Sequence, residues 1–296
     1  EDALAEMSQV SGVYVPALHE GERIQRQLLE DLDAYPTATS IIAPRAEFGD
    51  MYLIEIARGC GRGCRFCLAG YWYRPPRQRS VEQILRQAQE GLKYRDKVGL
   101  VASAVSDYAE IEALVTGLRN MGAKISVSSL RVKPLPPILV RALAESGAQS
   151  ITLAPEAGSE RLRRTIRKGV TYDDVMAATK LVADHDFRTL KLYFMIGLPG
   201  ETDQDITAII EMVKEIEERF PRHVVVNVTP FVPKAHTPFQ RMAVCPQDVL
   251  RARQERIEET LHSQRVEIRA GSVLEAHTQA VLSRGDRRVG EVLMAT

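Results

Sequence analysis

From residue 51 onward, short apolar runs alternate with amphipathic stretches along most of the chain. "MYLIEIA" is a nearly unbroken apolar run and predicts a buried strand. After a stretch rich in glycine and cysteine, the pattern lengthens to helical period from Val81 to about Tyr94. Ser80, with Glu82 and Gln83 behind it, supplies that helix start. "VGLVASA" predicts the next strand, and "AEIEALVTGLRNMG" the next helix, closed by Gly122. The cycle continues with "AKISVSS" and "PPILVRALAESG", then "QSITLAP" with "SERLRRTIRKG" and "YDDVMAATKLVADH". "RTLKLYFMIG" precedes "DITAIIEMVKEIEERF", and "HVVVNVTPF" precedes "PQDVLRARQERIEETLHSQ".

Six strand–helix units in strict alternation imply parallel strands joined by right-handed crossovers. "HVVVNV" is apolar on both faces, as expected where helices cover a sheet. The fold class is therefore α/β, and an open doubly wound sheet and a partial barrel satisfy the count equally. Residues 1–50 read as a lead-in, 51–240 as the core and 241–296 as a C-terminal helical extension. The chain opens at Glu1 and closes on the uncapped amphipathic stretch "RGDRRVGEVLMAT". Both ends are expected to be cuts in a longer protein, with the lead-in a linker from a further N-terminal domain and the extension truncated.

The 296 residues suffice for a sizeable core. Lysine plus arginine and aspartate plus glutamate number 39 each, so no global field points to nucleic acid or membrane. No apolar run approaches the roughly 20 residues that span a bilayer, and no signal-peptide pattern opens the chain, so the expected location is the cytoplasm.

Three of the four cysteines fall in "EIARGCGRGCRFCLAGYWYRPPR". Cys60, Cys64 and Cys67 have the spacing C-x3-C-x2-C, which suits metal or redox chemistry in a reducing compartment rather than cross-links. Three thiolates can hold three irons of a cubane and leave the fourth open. A structural zinc would need a fourth cysteine or a histidine. Cys245, far along the chain in "AVCPQD", reads as a small apolar residue or a helix-start neighbour. Gly59, Gly61 and Gly63 allow the backbone to wrap tightly and aim N–H groups at the sulfurs.

The motif resembles that of the radical S-adenosylmethionine (radical SAM) superfamily, and the resemblance extends beyond the cysteines. "APEAGSERLRRTIRKGVTYDD" and "KLYFMIGLPGETDQD" are similar to the fourth- and fifth-strand motifs of its cobalamin-linked and methylthiotransferase-like branches. "CRFCLAGYWYRPPRQRS", "FVPKAHTPFQ" and "SRGDRR" are closer to a subgroup that carries an N-terminal cobalamin-binding-type domain. The resemblance implies a partial (β/α)6 TIM-type barrel over roughly residues 50–240. It also implies a 4Fe-4S cluster on Cys60, Cys64 and Cys67, with S-adenosylmethionine chelating the open iron. Reductive cleavage would release a 5′-deoxyadenosyl radical, after reduction by a partner such as flavodoxin or ferredoxin. Cobalamin would enter through a domain outside this chain, which has no Asp-x-His-x-x-Gly motif.

Further roles follow residue by residue. Phe66 would shield the cluster near the adenine, or simply pack. Ser103, Ser106 and Asp107 replace the common Gly-Gly-Glu stretch. Asp107 could accept from the methionine amino group, and a helix cap near Ala109 is slightly favoured for it. Ser128 and Arg131, at the end of strand three, would meet the ribose or substrate. Glu156, directly after "ITLAP", suits ribose hydroxyls. Lys191 lies in an apolar strand and so requires a partner, the cofactor carboxylate or an internal glutamate. Lys168 is a weaker candidate for that carboxylate and is expected to be solvated. Gly197 and Leu198 would turn against the adenine, while the same loop caps the next helix at Thr202. "YWYRPPR" reads first as pocket wall, and RNA contact through its aromatics and Arg74, Arg77 and Arg79 is not favoured. His236 reads as incidental. The rival functions are an RNA- or ribosome-directed methylthiotransferase or methyltransferase, and a non-catalytic iron–sulfur electron carrier.

Overall fold

The structure, a computed structural model, describes residues 2–295. A helix α1 (Asp2–Ser8) and an irregular lead-in precede β1 (Tyr52–Glu55). Next, β2 (Ala57–Arg58) pairs antiparallel with β3 (Arg77–Gln78), and this hairpin carries the cysteines and the single-turn helix α2 (Ala69–Trp72). The order then runs α3 (Val81–Gly91), β4 (Lys97–Val101), α4 (Ile111–Asn120), β5 (Lys124–Val127) and α5 (Pro137–Glu145). It continues with β6 (Ser150–Glu156), α6 (Glu160–Thr165), α7 (Tyr172–Ala183), β7 (Thr189–Ile196), α8 (Asp203–Arg219) and β8 (His223–Pro230). The last elements are α9 (Gln247–Thr260), β9 (Val266–Ala270), α10 (Val273–Leu282) and α11 (Arg288–Ala295).

All the wall strands are parallel and lie in chain order, β1-β4-β5 in one sheet and β6-β7-β8-β9 in another. One parallel bridge, Leu130 with Leu153, joins the two, and the Leu130 N–H donates to the Thr152 carbonyl at 2.9 Å. A doubly wound sheet reverses its strand order part-way, whereas right-handed crossovers that always advance put every helix on one side. The partial barrel is therefore the architecture. The predicted six strands are present, and β9 adds a seventh beside β8, so the region read as a helical extension holds a strand as well as helices.

The core lies between wall and helices. Along β7, Leu190, Leu192, Phe194 and Ile196 are buried towards the helices, while Thr189, Lys191, Tyr193 and Met195 alternate with them. Each fully buried aliphatic side chain stabilises by about 1.5–3 kcal/mol. Ser80 caps α3, its hydroxyl accepting from the Gln83 N–H at 3.1 Å, and Gly122 closes α4 with φ +75°. At the start of α8, Asp205 accepts from the N–H and hydroxyl of Thr202, both at 2.8 Å. The lead-in is tied to the wall: Ala38 bridges Ile54, and buried Arg79 donates to the Leu32 and Glu55 carbonyls and to Thr37 Oγ1. No helix among the described residues is long and apolar enough to cross a membrane.

Candidate active site

The cysteine loop leaves the wall at the C-terminal end of β1 and is held from two sides. Gly59 sits at φ +84°, and a Cβ there would stand 2.1 Å from the Tyr73 carbonyl oxygen, so only glycine fits. Gly61 and Gly63 have no atom closer than 3.7 and 3.9 Å to such a Cβ, and steric need does not explain them. The Tyr71 hydroxyl donates to the Gly63 carbonyl at 2.9 Å, and Arg74 Nη2 donates to the Arg62 carbonyl at 2.8 Å. "YWYRPPR" thus begins as a brace for the loop. Trp72 and Tyr73 are exposed and stand outside the cleft wall, which corrects the pocket-wall reading; Ala69 and Gly70 of the same turn line it instead. Arg79 is buried on the Leu32 and Glu55 carbonyls, Thr37 Oγ1 and the Glu55 carboxylate, and Arg77 donates to the Pro75 and Leu29 carbonyls.

Cys60, Cys64 and Cys67 line one cleft that opens at the C-terminal ends of the strands. Phe66 lies between two of them in sequence and also lines it. Opposite stand Ser103 and Ala104 after β4, Ser129 to Arg131 after β5, and Ala154 and Glu156 in β6. Lys168 completes the wall. The Arg62 N–H points at Cys60 Sγ, 3.4 Å away. Burial pushes the Cys64 thiol up, opposed by the nearby cations Lys168 and Arg131. Those cations favour the thiolate form that a metal requires. Among the described residues, no three His, Cys, Asp or Glu side chains converge on a point for one ion. Three cysteine thiols with no fourth cysteine or histidine beside them among the described residues of the cleft are the donor set of a cluster with one open iron rather than of a closed zinc site. Cys245 lies apart, packed against the core ahead of α9, as expected.

Several expected positions move. Lys168 is buried rather than solvated, only 6% exposed, and its Nζ lies 2.8 Å from Glu156 Oε1. A left-handed residue, Arg167 at φ +54°, turns the chain back after α6 and swings Lys168 inward. Asp107 caps no helix, because α4 starts only at Ile111. Its carboxylate is taken by the Arg62 fork at 2.9 and 2.7 Å, with Arg131 3.7 Å away, an arrangement stronger than a neutral cap. Ser129 occupies the cleft in place of Ser128, which falls in the gap between β5 and β6, a one-residue change of phase. Ser106 is buried outside the cleft with its hydroxyl unpartnered.

Lys191 is on β7 between Thr152 and Val225 in register, outside the cleft wall. It is half-buried, and no glutamate pairs with it among the described residues, so an internal glutamate is not the partner its apolar strand requires. Gly197, at φ +75°, and buried Leu198 also stand behind the cleft. Leu198 joins Phe231 and Phe239 in an apolar cluster on which Phe66 packs, so it reaches the cleft through Phe66. The pair that the motif analysis missed is Glu201 with Arg253. Glu201 Oε2 accepts from the Gly197 N–H at 2.5 Å and from Arg253 Nη1 at 2.6 Å. Arg253 is one of three arginines in α9, and nothing in the amphipathic pattern of that helix marked it out in the sequence.

A parallel α/β wall in chain order, with three thiols and a buried carboxylate–ammonium pair at its strand ends, defines a partial-barrel site built for a metal cluster and a polar ligand. The radical SAM superfamily model matches residues 54–213, and the chain belongs to this superfamily of enzymes, whose cofactors are a 4Fe-4S cluster and S-adenosylmethionine. An uncharacterized protein of Methanocaldococcus jannaschii is 37% identical over 292 residues, 96% of this chain and 63% of that protein. A tRNA-2-methylthio-N(6)-dimethylallyladenosine synthase of Pelotomaculum thermopropionicum is 27% identical over 235 residues, 73% of this chain and 51% of that one. The chain therefore spans between about half and two thirds of the length of these relatives. Among solved structures, the radical S-adenosylmethionine methyltransferase TsrM of Kitasatospora setae, with cobalamin and a 4Fe-4S cluster bound, has the same fold. That match has a TM-score of 0.51 at 14% identity and covers 63% of this chain and 35% of TsrM.

Proposed function

We propose that the chain is the radical-generating core of an enzyme that holds a 4Fe-4S cluster on Cys60, Cys64 and Cys67 and binds S-adenosylmethionine beside it to modify a substrate. The observation that carries this reading is the convergence of the three thiols with Glu156, Lys168 and Arg131 on one cleft. When bound, the cluster and S-adenosylmethionine supply one-electron cleavage of a carbon–sulfur bond, yielding the 5′-deoxyadenosyl radical. The chain's own residues bind and orient. Glu156 has one oxygen on Lys168 and the other available to ribose hydroxyls, and Lys168 and Arg131 place positive charge where a carboxylate would bind. Phe66, backed by Leu198, keeps water from the wall beside Cys64 and Cys67. Flavodoxin or ferredoxin would supply the electron, and cobalamin on a domain outside this chain would direct the chemistry to methyl transfer.

A second reading, modification of RNA by methylthio or methyl transfer, is favoured by the likeness to the tRNA-modifying synthase. The test of the main reading is anaerobic reconstitution with iron and sulfide, reduction by dithionite, and assay of 5′-deoxyadenosine. Cleavage is expected, together with a change in the cluster's EPR spectrum when S-adenosylmethionine is added. Neither appearing would overturn the proposal. Cys64→Ala is expected to lose both cluster and cleavage.

A further inference from the structure

The chain's single tryptophan, Trp72, is 42% exposed and stands two residues from Gly70, which lines the cleft. Its ring lies 4.8 Å from that of His236 in the loop after β8. His236 has φ +63°, a left-handed backbone uncommon outside glycine, and its N–H is held by Gln240 Oε1 at 3.1 Å. A strained residue that packs an aromatic ring against an exposed tryptophan points to a surface under functional demand rather than to packing alone. Tyr73, the next residue, is also exposed.

Three cations belong to this turn and loop or meet Tyr71 of the same turn. Arg74 and Arg167 bring their guanidinium tips to 4.0 and 3.9 Å from the point where a side chain at Gly63 would begin, next to the Tyr71 hydroxyl. Arg74 also lies over the Tyr71 ring at 5.4 Å, and Lys234 sits two residues before His236. None of Arg74, Arg167 and Lys234 is ion-paired to a carboxylate among the described residues, whereas the neighbouring cations Arg62, Arg131 and Lys168 all are. Cations without a carboxylate partner in the same turn as an exposed tryptophan suit a ligand that carries both phosphates and bases. An acidic protein would answer the charge but leave the rings without a role.

We propose that α2 and the loop after β8 form a docking surface for single-stranded RNA, with Trp72 as a base-stacking platform at the mouth of the cleft. This names the substrate class of the proposed enzyme, and it rests on that reading for what happens after binding. A base stacked on Trp72 leaves its neighbour beside Ala69 and Gly70, so a polymer too large for the cleft can present one nucleotide to it.

Binding of a short fluorescein-labelled oligoadenylate to the cluster-loaded chain, followed by anisotropy over a range of salt, tests this without any turnover. Trp72→Ala is expected to weaken binding about 5- to 100-fold, the usual loss of one base–aromatic stack, while Trp72→Phe keeps most of it. Arg167→Glu, at a side chain with no internal partner, is expected to weaken binding and reduce the salt slope by about one or more counterions. No binding, or binding that neither variant changes, overturns the proposal. So does ferredoxin occupying this face while oligoadenylate is excluded. Because the assay needs no S-adenosylmethionine cleavage, loss of RNA binding and loss of radical chemistry are read separately.

Discussion

At Gly59 the left-handed backbone alone costs an L residue about 1–2 kcal/mol, and the Tyr73 carbonyl adds a clash that cannot move aside without unseating the brace. Gly59→Ala is expected to abolish iron incorporation on reconstitution, whereas Gly61→Ala, with open space around it, keeps it; iron and sulfide content decide between them. The Glu156–Lys168 pair gives a second test. Removing one member of a buried pair costs about 3–5 kcal/mol. Lys168→Met should therefore lower the urea midpoint sharply, and the double variant with Glu156→Gln should recover most of the loss. The three cysteines and Glu156 were legible because their types and spacing are unusual. Ser129, the burial of Lys168 and the Arg62–Asp107 fork were not. Each depends on how a loop turns after its strand, which neither periodicity nor composition encodes.

Between elements, the most consequential contact is the one that binds α9 to the loop after β7. Glu201 is 1% exposed at its side chain and carries both the Gly197 N–H and the Arg253 guanidinium. Arg253→Met leaves a buried carboxylate without its cation, and is expected to destabilise by about 3 kcal/mol in urea unfolding and to loosen Leu198 behind Phe66. Burial pushes the Glu201 carboxyl up from 4.5 to about 7, against the pull of Gly197 and Arg253. A raised carboxyl favours the folded chain while it is protonated. Its contribution is full below 4.5 and is lost as pH rises through about 7. Urea midpoints of the wild type should therefore fall across that window, and Glu201→Gln should flatten the fall. Helices and inner strands were legible from their period and caps. The edge strand β9 was not, since Glu267 and Arg269 break its apolar run, as edge strands commonly require.

For the molecule as a whole, the sequence left two architectures open, because alternation counts units without ordering them in space. The order in space is decided by long-range pairing, above all by the single Leu130–Leu153 bridge. Amide exchange should show its effect: β7 and β8, paired on both sides, should exchange slowest, and the Ser128 and Ser129 amides beside the bridge fastest. That bridge also makes the cleft a seam, with Ser129 and Arg131 on one bank and Ala154 and Glu156 on the other. A ligand seated across it acts as a keystone, locking two halves that otherwise share little backbone pairing. The empty protein is then expected to melt in two calorimetric steps, one for each half of the arch, and the loaded protein in one.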